Sequence, residues 1–120
     1  MALVIGYICL ARILMELSIY RDPQTAFLYI HLLINANFNE QIYLGNYRVL
    51  RGQLVRSLRT LADETGMSIN TIRKCLPKLR KHGLIKTKYL GYKGKYGTLF
   101  TLLKYEQHAA ANYDHHERPP

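Results

Sequence analysis

The chain has 120 residues, 48% of them hydrophobic, with 17 Lys or Arg against 8 Asp or Glu and a net charge of +9. That length suits one domain able to fold without a metal or a disulfide. Cys9 and Cys75 lie far apart and show no C-x-x-C or Cys/His ligand spacing, which argues against a disulfide scaffold or a zinc module; both read as buried thiols in a reducing compartment. The charge is local, because fourteen of the basic residues and only two of the acidic ones fall between Arg48 and Lys104. A local excess of this kind points to a polyanionic partner.

Met1 to Leu10 is apolar, but no basic run precedes it, no small-residue cleavage site follows, and Arg12 and Glu16 interrupt it. It is well short of the roughly 20 residues a membrane-spanning helix needs, so a cytoplasmic protein with no membrane partner is expected. An extended Gly6-Tyr7-Ile8 enters a short amphipathic helix over Arg12 to Leu17, with Ile13, Leu14 and Leu17 at helical spacing. Residues 1–21 thus form an N-terminal strand and helix extension that braces the domain. Asp22-Pro23 is an N-cap followed by proline at the first helical position, and Ala26, Phe27, Ile30, Leu33 and Ile34 give one apolar face running to about Asn37. His31 has no second ligand one turn on and reads as a packing or surface histidine.

Ile42-Tyr43-Leu44 and Tyr47-Arg48-Val49-Leu50 flank Gly45-Asn46 as a small hairpin, and Leu54-Val55-Arg56 is the next extended segment. Ser57 caps a helix over Leu58 to Thr65 that turns Leu58, Leu61 and Ala62 inward and ends at Gly66. Ser68 caps the next, whose stripe is Ile69, Ile72, Leu76 and Leu79, and His82-Gly83 stops it. Pro77 lies inside that helix, where a missing N–H and a crowded carbonyl predict a kink. Two β-rich runs follow, Leu84 to Leu90 and Thr98 to Lys104, joined by Gly91-Tyr92-Lys93-Gly94-Lys95-Tyr96-Gly97. The domain is expected over residues 1–106, with 107–120 a polar, disordered tail.

These elements predict an α+β fold: a winged helix-turn-helix, with a three-helix core, a small antiparallel β-sheet wing and the N-terminal extension. From Gly66 to Tyr105 there are ten Lys or Arg and no Asp or Glu. In a helix-turn-helix the start of the second helix enters the major groove. Asn70, Thr71, Arg73 and Lys74 occupy its first two turns; Arg73 has the donors to pair with guanine, and Asn70 those to pair with adenine. Ser68 and the free N–H groups at the helix start suit a phosphate, while Lys78 and Lys81 lie on its basic flank. In the wing, Tyr92, Lys93, Lys95 and Tyr96 are placed for the minor groove or the backbone. Each of these assignments competes with plain capping or a solvated surface.

The run R-G-Q-L-V-R-S-L-R-T-L-A-D-E-T-G-M-S-I-N-T-I-R-K-C-L-P-K-L-R-K-H-G-L-I, Arg51 to Ile85, resembles the N-terminal winged-helix domain of phage replisome organisers and DnaD-like replication initiation proteins. The likeness extends upstream through G-Y-I-C-L-A-R-I-L-M-E from Gly6 and D-P-x-x-x-F-L-Y-I-H-L-L-I-N-A-N from Asp22. It implies DNA binding and self-association, with recognition helix Ser68 to His82 and wing Leu90 to Thr98. The chain ends at Pro120 without the second helical domain typical of replisome organisers, so the resemblance carries DNA binding rather than loading.

The expected function is DNA binding in replication initiation of a phage or mobile element, or in transcriptional control. The alternative is a protein-interaction winged helix that pairs copies through Met1 to Ile8. DNA is the expected partner, with a homo-oligomer and a replication-protein partner left open. No phosphate-cradling loop, metal cluster or nucleophile with a base is evident, His115-His116 falling in the tail, so neither enzymatic activity nor a cofactor is expected.

Overall fold

Three capped helices and a three-stranded antiparallel sheet share one hydrophobic core in the computed structural model, which describes residues 12–108 except the side chain of residue 13. The order is α1 (Pro23–Asn35), β1 (Gln41–Tyr43), β2 (Tyr47–Val49), β3 (Gln53–Arg56), α2 (Leu58–Thr65), α3 (Ile69–Lys81), β4 (Ile85–Tyr89) and β5 (Thr98–Leu102). It is an α+β fold. Cys9, the extended Gly6-Tyr7-Ile8, the interaction segment Met1 to Ile8 and the His115-His116 tail lie outside the described residues.

Local chemistry sets the helix ends. Asp22 caps α1 by accepting from the Thr25 amide, Ser57 caps α2 through the Thr60 amide, and Ser68 caps α3 through the Thr71 amide. Gly66 closes α2 with φ 75°, a left-handed turn with no Cβ penalty, and its N–H bonds the Ala62 carbonyl. At the end of α3, the Leu84 amide reaches the Leu79 carbonyl and the Gly83 amide the Arg80 carbonyl. This is a Schellman closure, with Leu79 and Leu84 both fully buried beneath it.

The sheet order is β3-β5-β4, with Leu54 opposite Phe100 and Ile85 opposite Leu102. These four face the helices and join Leu28, Leu32, Leu61, Ile72, Leu76 and Leu79 in the core. Cys75 is buried there as a free thiol. β1 and β2 form a separate two-stranded hairpin.

Several expectations change in detail. Arg12 to Leu17 is not an α-helix: 3-10 turns at Arg12–Glu16 and Ser18–Arg21 meet at an extended Leu17. Leu14 and Ile19 are the buried contacts of this stretch. In α1 the buried residues are Thr25, Leu28, Tyr29, Leu32 and Leu33, whereas Phe27 and Ile34 are 47% and 62% exposed. The hairpin turn takes Leu44 out of the strand, with φ 53° there and 78° at Gly45, as a type I′ turn requires at its two central residues. The kink expected at Pro77 does not break α3, which stays helical from Ile69 to Lys81. Pro77 lies on its solvent side, so the Arg73 carbonyl it leaves without a donor faces water. Residues 105–108 form a final helical turn in which Tyr105 and His108 are buried, so the packed body continues two residues past 106.

No helix among the described residues is long and apolar enough to cross a membrane. Truncating Phe100, at the centre of the sheet, is expected to cost about 3–5 kcal/mol. Ser68→Ala should cost about 1 kcal/mol by removing a cap. Urea unfolding of the two variants measures both, and equal small losses would contradict the packing described.

Candidate nucleic-acid interface

α3 is divided lengthwise by its own sequence. Ile72, Cys75, Leu76 and Leu79 recur at three- and four-residue spacing and are buried, so everything opposite that stripe must face water. Asn70, Arg73, Lys74, Pro77, Lys78, Arg80 and Lys81 fill that outward arc, and all are exposed. The arc holds five cations and no carboxylate.

The arc has two edges. At one, Lys78 Nζ lies 2.8 Å from Asp22 Oδ2, tying α3 to the start of α1. The Lys78 ammonium, together with the Thr25 hydroxyl and amide, holds the Asp22 carboxyl below the usual carboxylate range, and Lys78 is raised in return. At the other edge the Arg80 guanidinium donates to Thr87 Oγ1 on β4 at 3.4 Å. Between the edges Arg73, Lys74 and Lys81 make no ion pair among the described residues. Ser68 and Thr71 are engaged with each other, through the cap and a 3.0 Å hydroxyl contact.

The β4–β5 loop forms the second cluster. Leu90 closes its base by bonding Gly97 and Tyr96 through backbone groups. A 3-10 turn at Tyr92–Gly94 shapes the tip, with Lys93 held at φ 55°. Gly91 has φ 75°, and a Cβ there would collide with the Tyr96 ring. Lys93 Nζ lies 5.5 Å from the Tyr92 ring centroid and Lys95 Nζ 5.8 Å from that of Tyr96, within cation–π range. Tyr96 also has structural duties: its carbonyl accepts from the Tyr43 hydroxyl, and its ring lies 6.4 Å from Tyr47. The β1–β2 hairpin thereby leans on the loop. A cleft of about 470 Å³ opens beside them, lined among others by Lys95, Tyr96, Arg56, Ser57 and Thr60.

The residues singled out by sequence therefore fall into two groups, with Asn70, Arg73, Lys74 and Lys81 on the α3 arc and Tyr92, Lys93, Lys95 and Tyr96 at the loop. Lys78 flanks the first group but is held by Asp22. Lys86 and Lys88 do not join either group. Opposite Thr101 and Leu99, they alternate with Ile85 and Thr87 and so occupy the sheet face away from the core. Arg56 is occupied too, contacting Glu64 at 3.2 Å and Asn35 at 3.4 Å. Glu64 also accepts from or pairs with His31 Nε2 at 2.9 Å. Burial pushes the Glu64 carboxyl up, but His31 and Arg56 outweigh it and hold it low. His31 is thus a cross-link between α1 and α2, in keeping with a packing histidine. Sequence reading missed Tyr89, which is 72% exposed at the root of the loop; its place among β-type residues gave it the look of an ordinary strand residue.

Among the described residues no group of three or more His, Cys, Asp or Glu side chains could hold a metal ion. No protein-family model, curated protein or solved structure matches the chain.

The Asp22–Lys78 tie has a pH signature. A carboxylate whose folded pKa is depressed stabilises the fold above its unfolded value, and that contribution disappears as pH falls through the folded one. Asp22→Asn keeps a capping side chain but removes the charge. The stability gap between the native protein and this variant should be full at about pH 5–7 and close below about pH 4. Urea titrations across that range measure it, and a gap that widens in acid would contradict the assignment.

Proposed function

We propose that the chain is a winged helix-turn-helix DNA-binding protein, with α2 and α3 as the helix-turn-helix and the β4–β5 hairpin as the wing. The observation that carries this reading is the α3 arc, where five exposed cations meet no carboxylate except the Asp22 at its edge. The Gly66 turn and the sheet order β3-β5-β4 support it by placing a basic hairpin after that helix. An α-helix fits the major groove, where Arg73 and Asn70 have the donors to read guanine and adenine. Lys74, Lys81, Lys93 and Lys95 supply phosphate contacts. Exposed lysines, arginine and tyrosines on α3 and the loop suit phosphate and base contacts, and the protein is read as a binding module rather than an enzyme. Its resemblance to replisome organisers and DnaD-like proteins favours replication initiation of a phage or mobile element, with transcriptional control as the other role open to a small DNA-binding domain.

A second reading, a protein-interaction module, draws on one observation. Phe27 and Ile34 are seven residues apart on the outer side of α1 and largely exposed, an apolar stripe suited to a second copy or another protein. It is compatible with DNA binding through α3 and the hairpin.

Fluorescence anisotropy with a labelled duplex tests the first reading. Lys74, Lys81, Lys93 and Lys95 neutralising about four phosphates predicts a slope of about −3.6 for log affinity against log salt, roughly −0.9 per contact. The double reversal Arg73→Glu/Lys74→Glu should weaken binding about 100-fold or more at moderate salt, with an unchanged melting temperature because both residues are exposed and unpaired. Salt-independent binding, or none, would overturn the reading.

A further inference from the structure

Two tyrosines of the wing have no structural task that explains their exposure. Tyr92 is 80% exposed at the tip and Tyr89 72% exposed at the root. Tyr96 provides the contrast: it packs over Gly91, stands against Tyr47 and is only 40% exposed. Tyr89 has one side near Gly94, where a Cβ would lie 3.3 Å from its ring, and is otherwise open. Tyr92 is carried outward by the 3-10 turn whose middle residue, Lys93, adopts a left-handed φ of 55°. That conformation is uncommon for a side chain larger than glycine, and such strain gathers at ligand clamps.

We propose that Tyr89 and Tyr92 form a stacking platform for unpaired nucleobases, so that the preferred substrate is DNA containing a junction between duplex and single strand. The proposal rests on the DNA-binding reading above and specifies its substrate class. Bases within a duplex are already stacked on one another and offer their ring faces to nothing else, whereas unpaired bases seek an aromatic surface. Proteins that hold single strands combine exposed aromatic rings with cations that track the backbone. Here Lys93 and Lys95 supply those cations within one or a few residues of the rings, and Lys93 Nζ lies 5.5 Å from the Tyr92 centroid. A wing that touched only duplex phosphates would need the lysines and a few donors, not two open aromatic faces. α3 would hold the duplex arm while the hairpin takes the strand that leaves it.

Competition binding separates the possibilities with three probes of equal length: a blunt duplex, a forked duplex with unpaired thymidine arms, and single-stranded oligothymidine. The native protein should bind the fork about tenfold or more tightly over the blunt duplex, the scale expected for a stacked base. Tyr89→Ala/Tyr92→Ala should abolish the preference, bringing fork affinity down to that of the blunt duplex. Tyr89→Phe/Tyr92→Phe should keep the fork preference, because stacking needs the ring and not the hydroxyl. Should the alanine variant lose structure, Tyr92→Trp provides a second route, since a larger ring should raise fork affinity. Equal affinity of the native protein for fork and duplex would overturn the platform while leaving DNA binding intact. A phenylalanine variant as weak as the alanine one would also overturn it, by reassigning both residues to hydroxyl contacts. Failure to bind any of the three probes would overturn the DNA-binding reading itself.

Discussion

The amphipathic division of α3 is the constraint on which the rest depends. Ile72, Cys75, Leu76 and Leu79 are buried against α1, α2 and the sheet, and a helix with one face committed to the core has its opposite face committed to water. Fixing that rotation aims every cation on the helix. The caps at Ser68 and Gly83 determine where the committed stretch begins and ends, and the ties at its two edges, Lys78 to Asp22 and Arg80 to Thr87, hold α3 against its neighbours. Removing any of these would act on the outward arc through the angle of the helix.

The hairpin obeys a different logic. Where α3 is held by burial, the β4–β5 loop is held by aromatic rings and backbone bonds near its surface. Gly91 and Tyr96 form a contact that leaves no space for a side chain at position 91, and Tyr43 fastens Tyr96 from the neighbouring hairpin. The β1–β2 element, otherwise a loosely attached pair of three-residue strands, has a role in this arrangement as a prop for the β4–β5 loop. Its turn accepts a leucine at positive φ, a local cost that the contact with the β4–β5 loop helps offset.

Features governed by neighbouring residues were legible in the sequence. Asp22-Pro23, Ser57, Ser68, Gly66 and Gly83 mark helix ends by chemistry confined to four or five residues, and the structure places helix ends there. Features that depend on partners far along the chain were not. The capture of Lys78 by Asp22 joins groups 56 residues apart, and the Glu64 bridge between His31 and Arg56 has no local trace. The buried side of α1 was hidden for another reason: most residues from Ala26 to Ile34 are apolar, so periodicity could not select a face, and packing chose Leu28, Tyr29 and Leu32 over Phe27 and Ile34. The basic strand β4 misled in a similar way, because Lys86 and Lys88 count toward the local charge but alternate onto the far side of the sheet.

The most direct test is to follow backbone amide resonances while a short DNA duplex is titrated into the labelled protein. If the α3 arc and the hairpin hold DNA, the largest shifts fall on Asn70, Arg73, Lys74 and Lys93 to Tyr96, while Phe27 and Ile34 on α1 stay where they were. Shifts centred on α1, with α3 and the hairpin silent, would contradict the assignment of the surface.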